Sequence, residues 1–125
     1  MTDARTIFTF VVPGRAVPKE RARKGKGGRF YTPKRTKVYE AEVAWCAVAS
    51  GLRLKPRDVV MLELEFHLCP MFSGDNDNRI HAIQDGLQRA YPGWNDRHVA
   101  YVSGRQVRAP NKREQRTVVC VEVLA

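Results

Sequence analysis

The sequence has few cysteines, no long apolar run and a shortage of acids. Its three cysteines are an odd number without close pairing, which argues against a disulfide framework. The longest apolar run, residues 43–49, is far shorter than the ~20 apolar residues that span a bilayer. The N-terminal apolar run is short and broken at Thr9, so it does not resemble a signal peptide. We therefore expect one reduced, cytoplasmic domain over residues 1–125 with no membrane partner.

The shortage of acids leaves a strong positive charge. Lys and Arg number 22 against 13 Asp and Glu, so the formal net charge is +9. Such an excess favours a polyanionic partner, most commonly nucleic acid. Residues 14–37 hold ten of the cations and a single acid, Glu20. A charged run is often only a solvated surface, but this one exceeds what solubility requires. The expected DNA-binding residues are Lys19, Arg21, Arg23, Lys24, Lys26, Arg29 and Lys34.

Apolar periodicity predicts an α+β fold with a single mixed sheet of about four strands packed with two helices. The predicted strands span residues 6–12, 59–68, 98–108 and 115–124. One predicted helix starts at Thr32-Pro33, with the hydroxyl as its cap, and ends before Gly51. The other spans about residues 78–91. Glycines 25, 27 and 28 predict a basic mobile loop at about 15–32. In the first helix, the apolar residues at helical spacing are Val38, Ala41, Trp45, Val48 and Ala49.

Carboxylates cluster in one stretch of this basic chain, residues 74–87, GDNDNRIHAIQDGL. In an extended segment Asp75 and Asp77 point the same way. Asp77, His81 and Asp85 share one helix face at i, i+4 and i+8. Asp96 follows in GWNDRHV, and the chain can return it to the same point. Neighbouring carboxylates repel one another, and a divalent cation removes that penalty. Oxygen ligands suit Mg²⁺, or alternatively Mn²⁺, and such an ion can activate water for phosphodiester hydrolysis.

Other interpretations of these residues are open. An aspartate before a helix is often only an N-cap or part of a turn. A calcium EF-hand is disfavoured because Ile80 stands where that loop needs glycine. His67 and Cys69 are too scattered from His81 to predict zinc, and His67 fits a strand face better. Asp85 either makes a helix surface contact or touches the metal. In the basic loop, the aromatic pair either stacks on bases or anchors the loop to the core; it is Phe30 and Tyr31.

The pattern DNDNRIHAIQDGL followed by GWNDRHV resembles the RusA family of Holliday-junction resolvases. The stretch VPGRAVPKERARKGKGGRFYTPKRTKVYE is similar to phage and prophage members of that family. The resemblance implies a homodimeric, Mg²⁺-dependent endonuclease that cuts four-way DNA junctions in recombination and repair. It places the three metal-binding aspartates on Asp75, Asp77 and Asp96, with Asp85 and Asn78 beside them. The implied setting is the cytoplasm of a bacterium or a phage-infected host cell.

The sequence departs from the family pattern at two positions. The family's catalytic lysine falls on His81, and the first acid of its later acidic pair falls on Asn95. Lysine, with a reference pKa of ~10.4, is cationic at neutral pH, whereas histidine at ~6.5 is mostly not. We therefore hypothesise that His81 acts when protonated, or as a neutral hydrogen-bond donor. Two other functions stay open: a non-catalytic DNA-binding module, and a nuclease that acts on flaps or forks.

Overall fold

The computed structural model describes residues 6–20, 22–71 and 76–124, without the side chain of Arg23. Asp75 and Arg21, both predicted as functional residues, lie outside the described residues. The strands are β1 (Thr6–Pro13), β2 (Arg23–Lys24), β3 (Phe30–Tyr31), β4 (Val60–Leu68), β5 (Val99–Arg108) and β6 (Arg116–Val123). The helices are α1 (Lys34–Ala49) and α2 (Asn76–Ala90), and short 3₁₀ turns cover Lys26–Gly28, Asp96–His98 and Lys112–Glu114.

Four of the strands form a single mixed sheet in the order β1-β6-β4-β5. β6 runs antiparallel to both of its neighbours, whereas β4 and β5 are parallel. A parallel pair needs a long crossover, and α2 supplies it between β4 and β5. This confirms the predicted α+β fold with two helices and a mixed sheet of four strands. β2 and β3 form a separate two-stranded hairpin, which the sequence did not reveal.

The alternation of β4 divides the sheet into a buried face and an open face. Leu62, Leu64 and Phe66 are buried, while Glu63 between them is exposed. On the open face, Nε2 of His67 lies 3.1 Å from Oε1 of Glu65, in agreement with the expected strand-face position of this histidine. The helices pack on the buried face, so that one side of the sheet carries the core.

The α2 helix lies very close to β5. A Cβ atom built on Gly104 would approach Cγ1 of Ile80 to 2.9 Å, so this position has no room for a larger residue. The same helix buries Ala82, Ile83 and Leu87 and turns its opposite side to solvent. None of the helices in the described ranges is long and apolar enough to cross a membrane.

The start of α1 differs from the prediction. Pro33, not Thr32, occupies the N-cap, and no side chain caps the helix. The Pro33 carbonyl instead accepts a hydrogen bond from the backbone N of Lys37, at 3.2 Å. Proline without an N–H fits this position because a helix start leaves its first amides unbonded in any case.

The apolar residues of α1 did not identify its buried face. Tyr39, Val43 and Ala47 are buried against the core. In contrast, Trp45 is 75% exposed and Val48 is 42% exposed. The helix carries apolar residues on more than one face, and spacing alone does not tell which face packs.

Candidate active site

One side of α2 presents polar side chains to solvent. Asp77 and His81 are exposed, and Asp85 is half-buried. The helical rise places Asp85 about 12 Å beyond Asp77 along the axis. The four-residue spacing of Asp77, His81 and Asp85 therefore places them along one solvent-facing side of the helix, as predicted.

A residue from the basic segment lies across this side of α2. The Lys19 ammonium is 2.7 Å from Oδ2 of Asp85. The Lys19 backbone N also donates to the carbonyl oxygen of Asn78, at 2.9 Å. Just before it, Ala16 is 2% exposed, and Arg15 donates to Oε1 of Gln115 at 2.7 Å. This start of the expected mobile loop is thus packed, and the mobility of the rest stays a prediction.

The Asp96 loop returns to the same helix. The backbone N of Asp96 donates to Oε1 of Gln88, at 3.0 Å. The Gln88 amide in turn donates to Oδ1 of Asp85, at 3.3 Å. The chain therefore brings Asp96 back to α2, but it meets the helix at Gln88, about 16 Å along the axis from Asp77, and not at the point predicted for it. Asn95 caps the short turn by accepting from the backbone N of Arg97, at 2.9 Å.

The charges at this end of α2 influence one another. The hydrogen bond with Asp85 is the main cause that raises the pKa of Lys19, and Glu40 and Asp96 add to it. Burial raises the pKa of Glu40 on α1, and the neighbouring Asp85 carboxylate raises it further. Glu40 was missed by the sequence reasoning because it belongs to no motif.

A cavity of about 250 Å³ opens beside this network. It is lined by Lys19, Glu20, Asn78 and His81. A larger cavity of about 550 Å³ lies between the end of β1 and α1, and its lining includes none of the predicted metal ligands. The smaller cavity is lined by His81, a predicted catalytic residue, and by Lys19, which pairs with Asp85.

The basic hairpin forms an exposed surface. Lys24, Lys26 and Arg29 lie in it, and their side chains face solvent. Phe30 is 72% exposed and Tyr31 is 48% exposed. Phe30 is therefore available for stacking on bases, whereas the Tyr31 ring lies beside Gly25 within the hairpin. Lys34, at the start of α1, is exposed as well.

A comparison with models of known protein families shows to which family this chain belongs. The model of the family described as Endodeoxyribonuclease RusA matches residues 13–122, most of the chain. The chain belongs to the RusA endodeoxyribonuclease family. The matched range includes the basic hairpin, both helices and the Asp96 turn. A comparison with curated proteins found no match.

Membership in the RusA family makes this chain a nuclease. The divalent metal ion that we predict from the sequence can be compared with the oxygen donors in the described residues. Asp77 and Asp96 offer carboxylate oxygens, the ligands that Mg²⁺ prefers. Asp85 is engaged by Lys19. Within residues 6–20, 22–71 and 76–124, no three His, Cys, Asp or Glu side chains lie close enough to hold an ion. The predicted site needs Asp75, which lies outside these ranges, and the ligand set stays a prediction.

Proposed function

We propose that this RusA-family chain is a Mg²⁺-dependent endonuclease that resolves four-way DNA junctions by paired phosphodiester hydrolysis. The observation that carries the proposal is the polar side of α2, where Asp77 and His81 are exposed and Lys19 is paired with Asp85. A nuclease needs acidic groups open to solvent together with cations that receive a phosphate. The family match supplies the reaction class.

The metal would be held by Asp75 and Asp77, with Asp96 as the third predicted ligand, although the Asp96 loop meets α2 at the end of the helix far from Asp77. Bound there, Mg²⁺ or Mn²⁺ would supply an activated water and neutralise charge that develops on the phosphate. The protein's own side chains would orient the substrate and donate hydrogen bonds to it. Asp77, in the first turn of α2, presents its carboxylate to solvent. His81, exposed one turn later, is placed to donate a hydrogen bond to a phosphate oxygen or to the leaving group.

The DNA arms would lie against the basic hairpin. Its exposed cations contact phosphates and supply affinity that is independent of sequence. Phe30, exposed beside them, can stack on an unpaired base where the strands separate at the junction.

The active form would be a homodimer. Resolution of a junction needs two symmetric cuts, and one chain carries one acidic site. A two-fold dimer provides two sites related by the symmetry of the junction. The setting would be recombination and repair in the cytoplasm of a bacterium or a phage-infected host cell. Sedimentation velocity of the purified protein tests the dimer.

Cleavage of a synthetic mobile four-way junction tests the activity. We expect wild type to cut it in Mg²⁺ and not in EDTA. Asp75→Asn and Asp77→Asn should abolish cleavage while leaving junction binding in EDTA intact or tighter, because each removes a negative charge near the phosphates. Glu63→Gln is the matched control, since Glu63 is exposed on the open face of the sheet.

The outcomes separate the alternatives. Junction binding without cleavage by wild type in Mg²⁺ or Mn²⁺ would indicate a non-catalytic DNA-binding module. Equal cleavage of forks or flaps would indicate a nuclease with a different substrate. If Asp77→Asn lost binding to the same extent as cleavage, Asp77 would be a structural residue and not a metal ligand.

A further inference from the structure

Lys19 is held at two points along α2. Its backbone N bonds the carbonyl oxygen of Asn78, in the first turn of the helix. Its side chain reaches Asp85 nearly two turns further on, with the ammonium 2.7 Å from Oδ2. The side chain borders the cavity that His81 also lines. The lysine is therefore fixed beside the exposed acidic side of α2, and its ammonium has a defined position.

The Lys19 ammonium has room for a second partner. Its side chain is 46% exposed, whereas that of Asp85 is 19% exposed. An ammonium has three N–H donors, and the single Asp85 contact uses one of them. The remaining donors can meet a phosphate oxygen from the solvent side without breaking the ion pair. The surrounding carboxylates keep the amine protonated, as the raised pKa of Lys19 indicates.

Both carboxylate oxygens of Asp85 are engaged by neighbouring side chains. Oδ2 contacts the Lys19 ammonium, and Oδ1 accepts from the Gln88 amide. This arrangement leaves Asp85 poorly suited to bind an ion and well suited to hold a cation in place. Gln88 also binds the backbone N of Asp96, so the same network links Lys19 to the Asp96 loop.

We propose that Lys19 donates to the phosphate that is cleaved, and that Asp85 is the positioning residue that holds its ammonium there and is not a metal ligand. The inference rests on the proposed function, because it assigns roles within that same site. It distinguishes Lys19 from the hairpin cations, which would contact the DNA arms. A fixed ammonium at the reacting phosphate stabilises charge that develops in the transition state.

The first test separates cleavage from binding. Single-turnover cleavage of the junction is measured at saturating protein in Mg²⁺, and Kd is measured in EDTA. We expect Lys19→Ala to slow cleavage about 100-fold or more while Kd changes by less than about threefold. Lys24→Ala, a matched loss of one exposed hairpin lysine, should weaken binding. Lys55→Ala, an exposed lysine outside the hairpin, should leave the saturated rate unchanged. Lys19→Arg should keep part of the rate because it keeps the charge.

The second test addresses Asp85 without relying on activity. Mn²⁺ binding is measured by calorimetry on the unliganded protein. Asp85→Asn should bind Mn²⁺ as wild type does, while Asp77→Asn should bind it more weakly. In cleavage, the double variant Lys19→Ala/Asp85→Asn should be no slower than Lys19→Ala alone, because Asp85 acts through Lys19.

Three results would overturn the inference. The first is a Lys19→Ala variant with a wild-type rate and a weakened Kd, like Lys24→Ala. The second is loss of Mn²⁺ binding in Asp85→Asn. The third is a wild type that cuts no DNA, which would remove the proposed function and this inference with it. Circular dichroism checks each fold, and Lys19→Met, which keeps the apolar stem, replaces Lys19→Ala if that variant unfolds.

Discussion

Gly86 of α2 and Val43 of α1 lie so close that no methyl group fits between them. A Cβ atom built on Gly86 would lie 2.5 Å from Cγ1 of Val43 and 3.2 Å from the carbonyl oxygen of Glu40. The two helices therefore cross at this glycine. The crossing also brings Glu40 to Asp85, the residue next to Gly86, and so contributes to the charge network of the site.

We expect Gly86→Ala to destabilise the protein, because overpacking a tight contact displaces the helices at a cost of about 1–3 kcal/mol. This outweighs the gain of up to about 1 kcal/mol that alanine usually gives over glycine inside a helix. Urea unfolding measures the difference. Val43→Ala/Gly86→Ala should be more stable than the two single effects added together, since the shorter residue 43 makes room for the new methyl group. A Gly86→Ala protein more stable than wild type would contradict the close crossing.

Gln88 connects Asp85 to the Asp96 loop, so we expect Gln88→Ala to reduce cleavage. The backbone N of Asp96 loses its acceptor, and Asp85 loses a donor. The single-turnover rate should fall by about tenfold or more, while Kd in EDTA stays within about twofold. Gln88→Glu keeps an acceptor for the Asp96 amide and should recover part of the rate if that bond matters most. Equal rates for Gln88→Ala and wild type would show that the Asp96 loop keeps its place without this contact.

The hairpin cations should determine the salt dependence of DNA binding. If Lys24, Lys26 and Arg29 each contact a phosphate, replacing all three by alanine should flatten the plot of log affinity against log salt by roughly one unit per contact. The loss should be similar for every DNA sequence. Fluorescence anisotropy across a salt series measures the slope.

A second triple variant serves as the control for net charge. Lys55, Arg57 and Arg113 are exposed outside the hairpin. Replacing them by alanine removes the same charge and should leave most of the slope in place. Equal flattening by the two triple variants would place the DNA path elsewhere.

The buried Tyr39 should add a pH dependence to stability. Burial raises its pKa from 10.0 to about 12, and its hydroxyl lies 3.1 Å from Oγ1 of Thr117. The unfolded chain releases this proton from about pH 10 upward, while the folded chain keeps it, so stability falls as the pH rises towards 12. Tyr39→Phe lacks the group and should lose less stability over this range, by on the order of 2 kcal/mol. Urea unfolding from about pH 9 to 12 tests this, and parallel curves for the two proteins would contradict it.

Local patterns were enough to predict most of the fold. β4 alternates because one face of the sheet packs on helices while the other meets solvent, so its strand and its buried residues could be read directly. The end of β4 at Leu68 and the extent of α2 likewise followed from breakers and helical spacing. The buried face of α1 could not be read, since Trp45 and Val43 are both apolar and only packing distinguishes them.

The candidate site also contains features that the sequence predicts and features that it does not. The α2 side that carries Asp77 and His81 follows from a spacing of four residues, which any helix obeys. The pairing of Lys19 with Asp85 joins residues far apart in the chain, and no local pattern predicts which of many lysines a carboxylate meets. For the same reason Glu40 was missed.

The amino-acid sequence by itself determined the RusA-family membership, the basic character and the strands and helices, because these depend on residue type and short-range periodicity. Only the tertiary structure decided that Lys19 of the basic segment lies against α2 and that Gln88 bonds the Asp96 loop. Such contacts form only when the helices pack on each other and on the sheet, which they do closely at Gly86 and Gly104.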